Sequence, residues 1–379
     1  MKKIIGILLA GALVTSAFAA DVSAKVKVDG SLLNFDGKNF SALKVQHNSE
    51  DWNPDLSLSI NGDRAGASMS FYYGADIVGK NPKCSETSCW NYENDNGRCE
   101  HSKGVTVLSN SATNKFNTVA QSYSVWFKPF DMLKVTAGQY STNMNQETID
   151  HSHTDTGVNT QGYALDLNID AFFATVFFAP GWENAWFTKK ENADATVGLL
   201  YAKAGYGADF GRIQGMFKLV DKDSMLLGLG YNNTFGSVNM FVNAMVGIDP
   251  AYDKVPLIRA EAFASTNIDA FGISVFVAGG YNLNDGLVTG WHVANSYGGN
   301  TGNTDKASLG ATMKLTYNLG SCTPYIYVKE ANFLADSFSI NVKPGVTGNL
   351  GSMAWEVAAD MNFGETFTVN VPVSFTVSF

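Results

Sequence analysis

Residues Thr366 to Phe379 read T-F-T-V-N-V-P-V-S-F-T-V-S-F, and the alternation in that stretch decides the fold. Phe367, Val369, Val371, Val373, Phe375, Val377 and Phe379 take every second position, with Thr366, Thr368, Asn370, Pro372, Ser374, Thr376 and Ser378 between them. A period of two puts the apolar set on one face of a strand and the polar set on the other. In water the apolar face would need a second protein layer over it, and no segment of the mature chain has the helical periodicity to provide one. Lipid can cover it instead. At ~3.3 Å per residue the stretch reaches roughly 45 Å, more than the ~9 to 11 residues that cross a bilayer at a tilt. Pro372 cannot donate to a ladder, so it is expected where a partner is lost or supplied by water.

The other end of the chain agrees. Lys2 and Lys3, an apolar run from Ile4 to Val14 and Ala17-Phe18-Ala19 form a signal peptide over residues 1–19 with an A-x-A cleavage site. Residues 20–379 are then expected to be one domain. The leader takes two of the 26 basic residues and none of the 35 acidic ones, leaving 24 against 35, about −11. That balance argues against nucleic acid as a partner. No later run approaches ~18 apolar residues, so a spanning helix is not expected. Charged residues make up 16% of the chain, below the ~25% usual in soluble domains.

The pattern of the last strand recurs. An opening strand runs from Val22 to about Leu33. Leu56-Ser-Leu-Ser-Ile60, Asn61-Gly62-Asp63 and the alternating run to Tyr73 make a hairpin with its turn chemistry written out. Further hairpins follow over 119–140, 162–179, 196–220, 225–246, 256–281, 308–330 and 337–363. Within each, two to six turn residues separate the strands; between them the connections 74–118, 141–161, 180–193, 247–254 and 282–307 are longer. Residues 38–46 are assigned to the first outer loop. Eight hairpins with one opening and one closing strand give an all-β antiparallel transmembrane barrel of 18 strands, or 16 if one weak hairpin is misread. Short periplasmic turns lie on one side and long outer loops on the other. Trp126, Phe127, Phe130, Tyr73, Tyr140, Tyr163, Tyr281, Tyr206, Tyr231, Tyr317 and Phe379 fall near strand ends, as interfacial girdles require.

The polar alternates should line the lumen. Lys134, Asp166, Arg212, Lys218, Arg259, Glu261, Lys314, Lys329, Lys343, Glu356 and Asp360 all alternate with apolar positions, and an Arg or Lys on the lipid side near the midplane would cost ~2–4 kcal/mol. A lining of both signs suits a water-filled channel; a salt-bridged plug is the competing reading. In general porins the third outer loop folds into the lumen, and here that loop is 141–161. Its Glu147, Asp150 and Asp155 would face Arg212 and Arg259 and set a transverse field. Asp150-His-Ser-His153-Thr-Asp155 reads as a solvated loop, since two imidazoles lack a third fixed ligand. A line of lumenal aromatics would argue for a substrate-specific channel, and Tyr325 and Tyr327 alone do not extend far enough.

Cys84, Cys89 and Cys99 cluster in the longest loop, and Cys322 stands alone. In an exported chain the cluster reads as one loop disulfide of unreadable pairing; as a zinc site its spacing matches no standard pattern. No G-x-S-x-G, H-E-x-x-H or phosphate loop occurs, so neither an enzyme nor a cofactor is expected.

The leader, the alternating hairpins and the terminal phenylalanine together resemble bacterial outer-membrane porins. Asp55 to Ala67 and Trp126 to Gly138 are similar to segments of spirochaete porin-like proteins. The resemblance implies an outer-membrane location at the cell surface and passive diffusion of small hydrophilic solutes and ions. Phe375, Val377 and Phe379 would be the signal read by the outer-membrane assembly machinery. Outer-membrane lipid would be a partner, and by analogy a homotrimer. A surface adhesin acting through its outer loops is the alternative.

Overall fold

The alternating segments pair into one antiparallel sheet that closes on itself. A computed structural model describes residues 21–45, 56–74, 99–101, 105–107, 117–149, 156–179, 199–219, 225–248, 257–282, 307–330, 333–334 and 339–379. The barrel has eighteen strands. The first four are β1 (Asp21–Phe35), β2 in two segments (Phe40–Val45 and Leu56–Asn61), β3 (Ala65–Gly74) and β4 (Asn117–Phe130). Then come β5 (Leu133–Asn143), β6 (Gly157–Ile169), β7 (Phe172–Ala179), β8 (Leu199–Ala208), β9 (Gly211–Leu219), β10 (Met225–Phe235) and β11 (Val238–Ile248). The wall is completed by β12 (Leu257–Ile268), β13 (Phe271–Asn282), β14 (Ala307–Tyr317), β15 (Cys322–Glu330), β16 (Ile340–Leu350), β17 in two segments (Met353–Ala358 and Asp360–Phe363) and β18 (Thr368–Ser378). Each strand pairs with the next. Closure leaves no barrel edge in hydrocarbon, where an unpaired backbone group would find no water.

The seam joins β1 to β18, from Lys25↔Ser378 to Phe35↔Val369. Pro372 faces Ser31, and the register slips between Ser31 and Asn34, so the ladder is broken beside the residue that cannot donate. There the Ser31 hydroxyl bonds Asn370 Oδ1 at 2.6 Å instead.

One expectation is corrected at β2. Within the stretch 38–46 assigned to the first outer loop, Phe40–Val45 is instead a strand that pairs with β1, from Gly30↔Val45 to Phe35↔Phe40. The reversal before it is short, held by Asp36 Oδ1, which accepts from the backbone N–H groups of Asn39 at 2.7 Å and Lys38 at 3.0 Å. These two bonds hold the Asp36 carboxyl below its ordinary range, Asn39 contributing most.

At the rim carrying both termini, residues 131–132, 170–171, 209–210, 236–237, 269–270 and 351–352 make two-residue turns. Asp170 and Asp269 hold φ near +51° and +52°, a left-handed conformation that Asp tolerates better than most side chains. The opposite rim carries most of the long connections. A separate hairpin pairs Cys99–His101 with Val105–Val107. Cys84 and Cys89 lie outside the described residues, so the expected disulfide does too.

Alternation sorts the side chains. Val125, Leu165, Val176, Leu229, Val246 and Phe375 are exposed on the outer wall. Tyr206, Tyr281 and Tyr317 are also exposed there near strand ends, while Tyr163 is exposed at the middle of β6. Trp126 and Tyr140 depart from the girdle expectation. Trp126 lies between outward Val125 and Phe127, and a Cβ at Gly66 would come within 2.4 Å of its Nε1, so the indole crosses the inner wall. Tyr140 stacks on inward Phe177 at 5.4 Å.

Candidate functional site

Strand register places Lys134, Asp166, Arg212, Lys218, Arg259, Glu261, Lys314, Lys329, Lys343, Glu356 and Asp360 on the inner face, opposite the lipid-facing set. Their surroundings differ. Lys134 and Lys128 flank the Trp126 indole at 5.1 and 5.8 Å. The Arg212 guanidinium lies 4.7 Å over Phe173, and Lys314 sits 4.8 Å over Tyr325. The Tyr325 hydroxyl donates to Glu356, whose Oε1 is also 3.5 Å from Lys343 Nζ. Asp166 accepts from the hydroxyls of Tyr140 and Thr175. Asp360 accepts from Asn341 Nδ2.

Arg259 and Glu261 do not line water. They pair at 3.2 Å with side chains 7% and 0% exposed, and Glu261 also accepts from Asn243 Nδ2 at 2.7 Å. A pair taken this far from water gains little net stability, but removing one partner strands the other at a cost of about 3–5 kcal/mol.

The segment after β5 leans into the barrel. Met144, Asn145, Glu147 and Ile149 are all buried. Gln214 Nε2 donates to Met144 O and Asn145 Oδ1. Asn145 Nδ2 donates to Asn243 Oδ1 at 2.7 Å, and Asn243 Nδ2 returns to Asn145 O at 3.3 Å. Lys203 Nζ holds Asn143 O at 2.7 Å and Thr142 Oγ1 at 2.8 Å, while Lys218 Nζ holds Gly157 O at 2.9 Å. Gly230 is the wall's adaptation to this segment. A Cβ there would sit 2.6 Å from Asn243 Oδ1, 2.8 Å from Asn145 Nδ2 and 3.0 Å from Met144 Sδ, so only glycine lets the segment approach so closely. Glu147 Oε2 accepts the Ile149 N–H. Asp150 and Asp155 lie outside the described residues.

Two apolar clusters fill the far arc of the lumen. One joins Met144 and Val158 to Phe177, Tyr201, Met216, Leu226 and Met245. The other joins Ile149 to Phe241, Phe263, Phe276, Tyr325 and Tyr327. Phe263 stands opposite Phe241 and Phe276 across β11, β12 and β13, and the Phe241 ring lies 5.4 Å from that of Phe263 and 6.3 Å from that of Phe276. Lumenal aromatics thus extend well beyond Tyr325 and Tyr327, though packed against the inserted segment. Lys203, Gln214, Asn145 and Asn243 were absent from the sequence-derived set. The signal that could have found them is a polar residue inside a strand apolar on both faces, as Asn243 is in V-N-A-M-V.

No protein-family model matches the chain, and no curated protein matches it in sequence. Solved structures do share its architecture. The outer membrane protein OpdK of Pseudomonas aeruginosa superposes with a TM-score of 0.57 at 9% identity, covering 95% of this chain and 99% of that one. OccK2 (OpdF) of the same organism gives 0.55 at 10% identity over 95% and 98%. OccAB3 of Acinetobacter baumannii gives 0.53 at 9% identity over 95% and 98%. The chain therefore has the closed eighteen-stranded barrel fold of these proteins.

Proposed function

We propose that the protein is an outer-membrane channel through which small hydrophilic solutes and ions diffuse passively. The observation that carries this reading is the inverted wall: apolar side chains exposed outside, charged and hydroxyl groups inside, with a loop segment narrowing the lumen. A water-filled path in lipid needs that inversion, and a protein stabilised only by its interior does not. Structural likeness to OpdK, solved with vanillate, and to OccK2, solved with glucuronate, fits a lumen sized for small solutes.

In this reading Lys134, Asp166, Arg212, Lys218, Lys314, Lys329 and Glu356 bias ion preference. Arg259, Glu261 and Glu147 fix the constriction, and Asp150 and Asp155 belong to the same loop. No catalytic step, cofactor or energy source is involved. Residues 1–19 direct export, Phe375, Val377 and Phe379 present the closing strand to the assembly machinery, and a homotrimer is the proposed assembly. Planar-bilayer recording of refolded protein tests the reading: discrete conductance steps are expected. A folded, silent barrel would overturn it in favour of an adhesin.

A further inference from the structure

The lumen has one arc with two neighbouring rows of serine hydroxyls, the second bounded by Lys25. Ser23↔Ser59, Ser59↔Ser68 and Ser68↔Ser124 are directly opposed across β1 to β4. The next inward row runs Lys25↔Ser57↔Ser70↔Ser122, with Ser378 opposite Lys25 on β18. These rows face the lumen because the alternate rows, Leu58↔Met69↔Tyr123 and Ile60↔Ala67↔Val125, supply the lipid face. Three cross-strand pairs bond to each other: Ser23 with Ser59 at 2.7 Å, Ser68 with Ser124 at 2.7 Å and Ser70 with Ser122 at 2.5 Å. A bonded pair uses one O–H and keeps the other free to donate, with lone pairs left to accept.

Two further observations mark this arc as a path. Ser23 and Ser68 are exposed although they point inward, whereas on the far arc inward Phe177 and Tyr201 are 0% exposed and Gln214 2%. The open space is therefore eccentric, against the serines. Beyond them, towards the rim that carries the termini, the next inward row is Gly66↔Trp126↔Thr136. Thr136 is 4% exposed, and its Oγ1 has no hydrogen-bond partner among the described residues. A hydroxyl that deeply placed costs free energy unless something bonds it.

We propose that permeation follows the β1–β4 arc, and that its hydroxyl rows and Thr136 favour hydroxylated solutes, such as small sugars and polyols. Such a solute gives up bonds to water that both donate and accept, and serine pairs replace both kinds. The Ser23–Ser59–Ser68–Ser124 row carries no charge, so it recognises the ring hydroxyls that a sugar and its acid share. The proposal rests on the channel reading above and assigns the route and solute class within it.

The test is the variant Ser59→Ala/Ser68→Ala/Ser124→Ala, reconstituted as full-length protein. KCl conductance is measured in bilayers, and glucose and glucuronate uptake in liposomes. The change removes three oxygens and adds no bulk, so conductance should hold. Glucose and glucuronate flux should both fall about threefold or more relative to KCl, because the hydrogen bonds lost to their ring hydroxyls are not replaced. Ser59→Thr/Ser68→Thr/Ser124→Thr, which keeps every hydroxyl, should hold the wild-type ratio. Glucose-to-KCl and glucuronate-to-KCl ratios unchanged by the alanines would overturn the proposal and leave the channel intact. A wild-type protein without conductance would overturn both.

Discussion

Asn145→Ala is the sharpest perturbation of the inserted segment. Asn145 accepts from Gln214 Nε2, donates to Asn243 Oδ1 and is itself buried. Its truncation removes two hydrogen bonds, worth ~0.5–1.5 kcal/mol each, and strands the Asn243 amide oxygen at a further ~1–3 kcal/mol. Asn243 is 0% exposed, so water does not take over. The total, about 2–6 kcal/mol, falls on the docking of residues 144–149 rather than on the wall, whose ladder is untouched. At ~1.4 kcal/mol per decade the docking equilibrium should shift by roughly 30-fold to 10⁴-fold. Single-channel traces should show a higher mean conductance or rapid stepping between two levels, with the barrel's thermal midpoint near wild type. A trace indistinguishable from wild type would refute the assignment of this segment as the constriction.

Other consequences can be checked directly. Deleting residues 144–157 should raise conductance, and an unchanged value would remove the loop from the constriction. Leu229→Arg places a charge on the outer wall near mid-strand, where Leu229 is 61% exposed; urea unfolding in lipid should show a loss of ~2–4 kcal/mol. Asp36 is a carboxylate whose folded pKa lies below its unfolded value of about 3.8. Its contribution is present above that value and lost as pH falls through the lower folded pKa. Stability measured for Asp36→Asn against wild type should therefore differ at neutral pH and converge as pH falls through the lowered folded value.

The wall was legible in the sequence because lipid enforces a strict period on whatever faces it. Val371, Val373 and Phe375 could be assigned a face from order alone. Phe40–Val45 escaped because the polar sequence that follows it, residues 46–55, shows no alternation, and half a strand carries too few alternations to stand out. The lumen was harder to read. Charges such as Asp166 and Arg212 announce an inward position, whereas Phe177, Phe241 and Phe263 lie in strands apolar on both faces, where alternation cannot separate hydrocarbon from packed interior. Trp126 was misplaced for a related reason: an indole near a turn fits a girdle or a lumen equally well, and only Gly66 across the ladder tells them apart. The inserted segment was expected from its place in the loop order, while its anchors Gln214 and Asn243 depend on pairings that no local pattern encodes.

The seam has a kinetic consequence. Ser31 and Asn370, bonded across it, are 339 residues apart in the chain, so this is the costliest loop in the molecule to close. Every other strand can zip onto its predecessor, but β1 must keep an unsatisfied edge until β18 arrives. That edge is a template for a neighbouring copy, so nascent chains should be most vulnerable to mispairing before Phe379 is in place. The ladder beside Pro372, already short of one donor, should be where amide protons exchange soonest once the cylinder has formed.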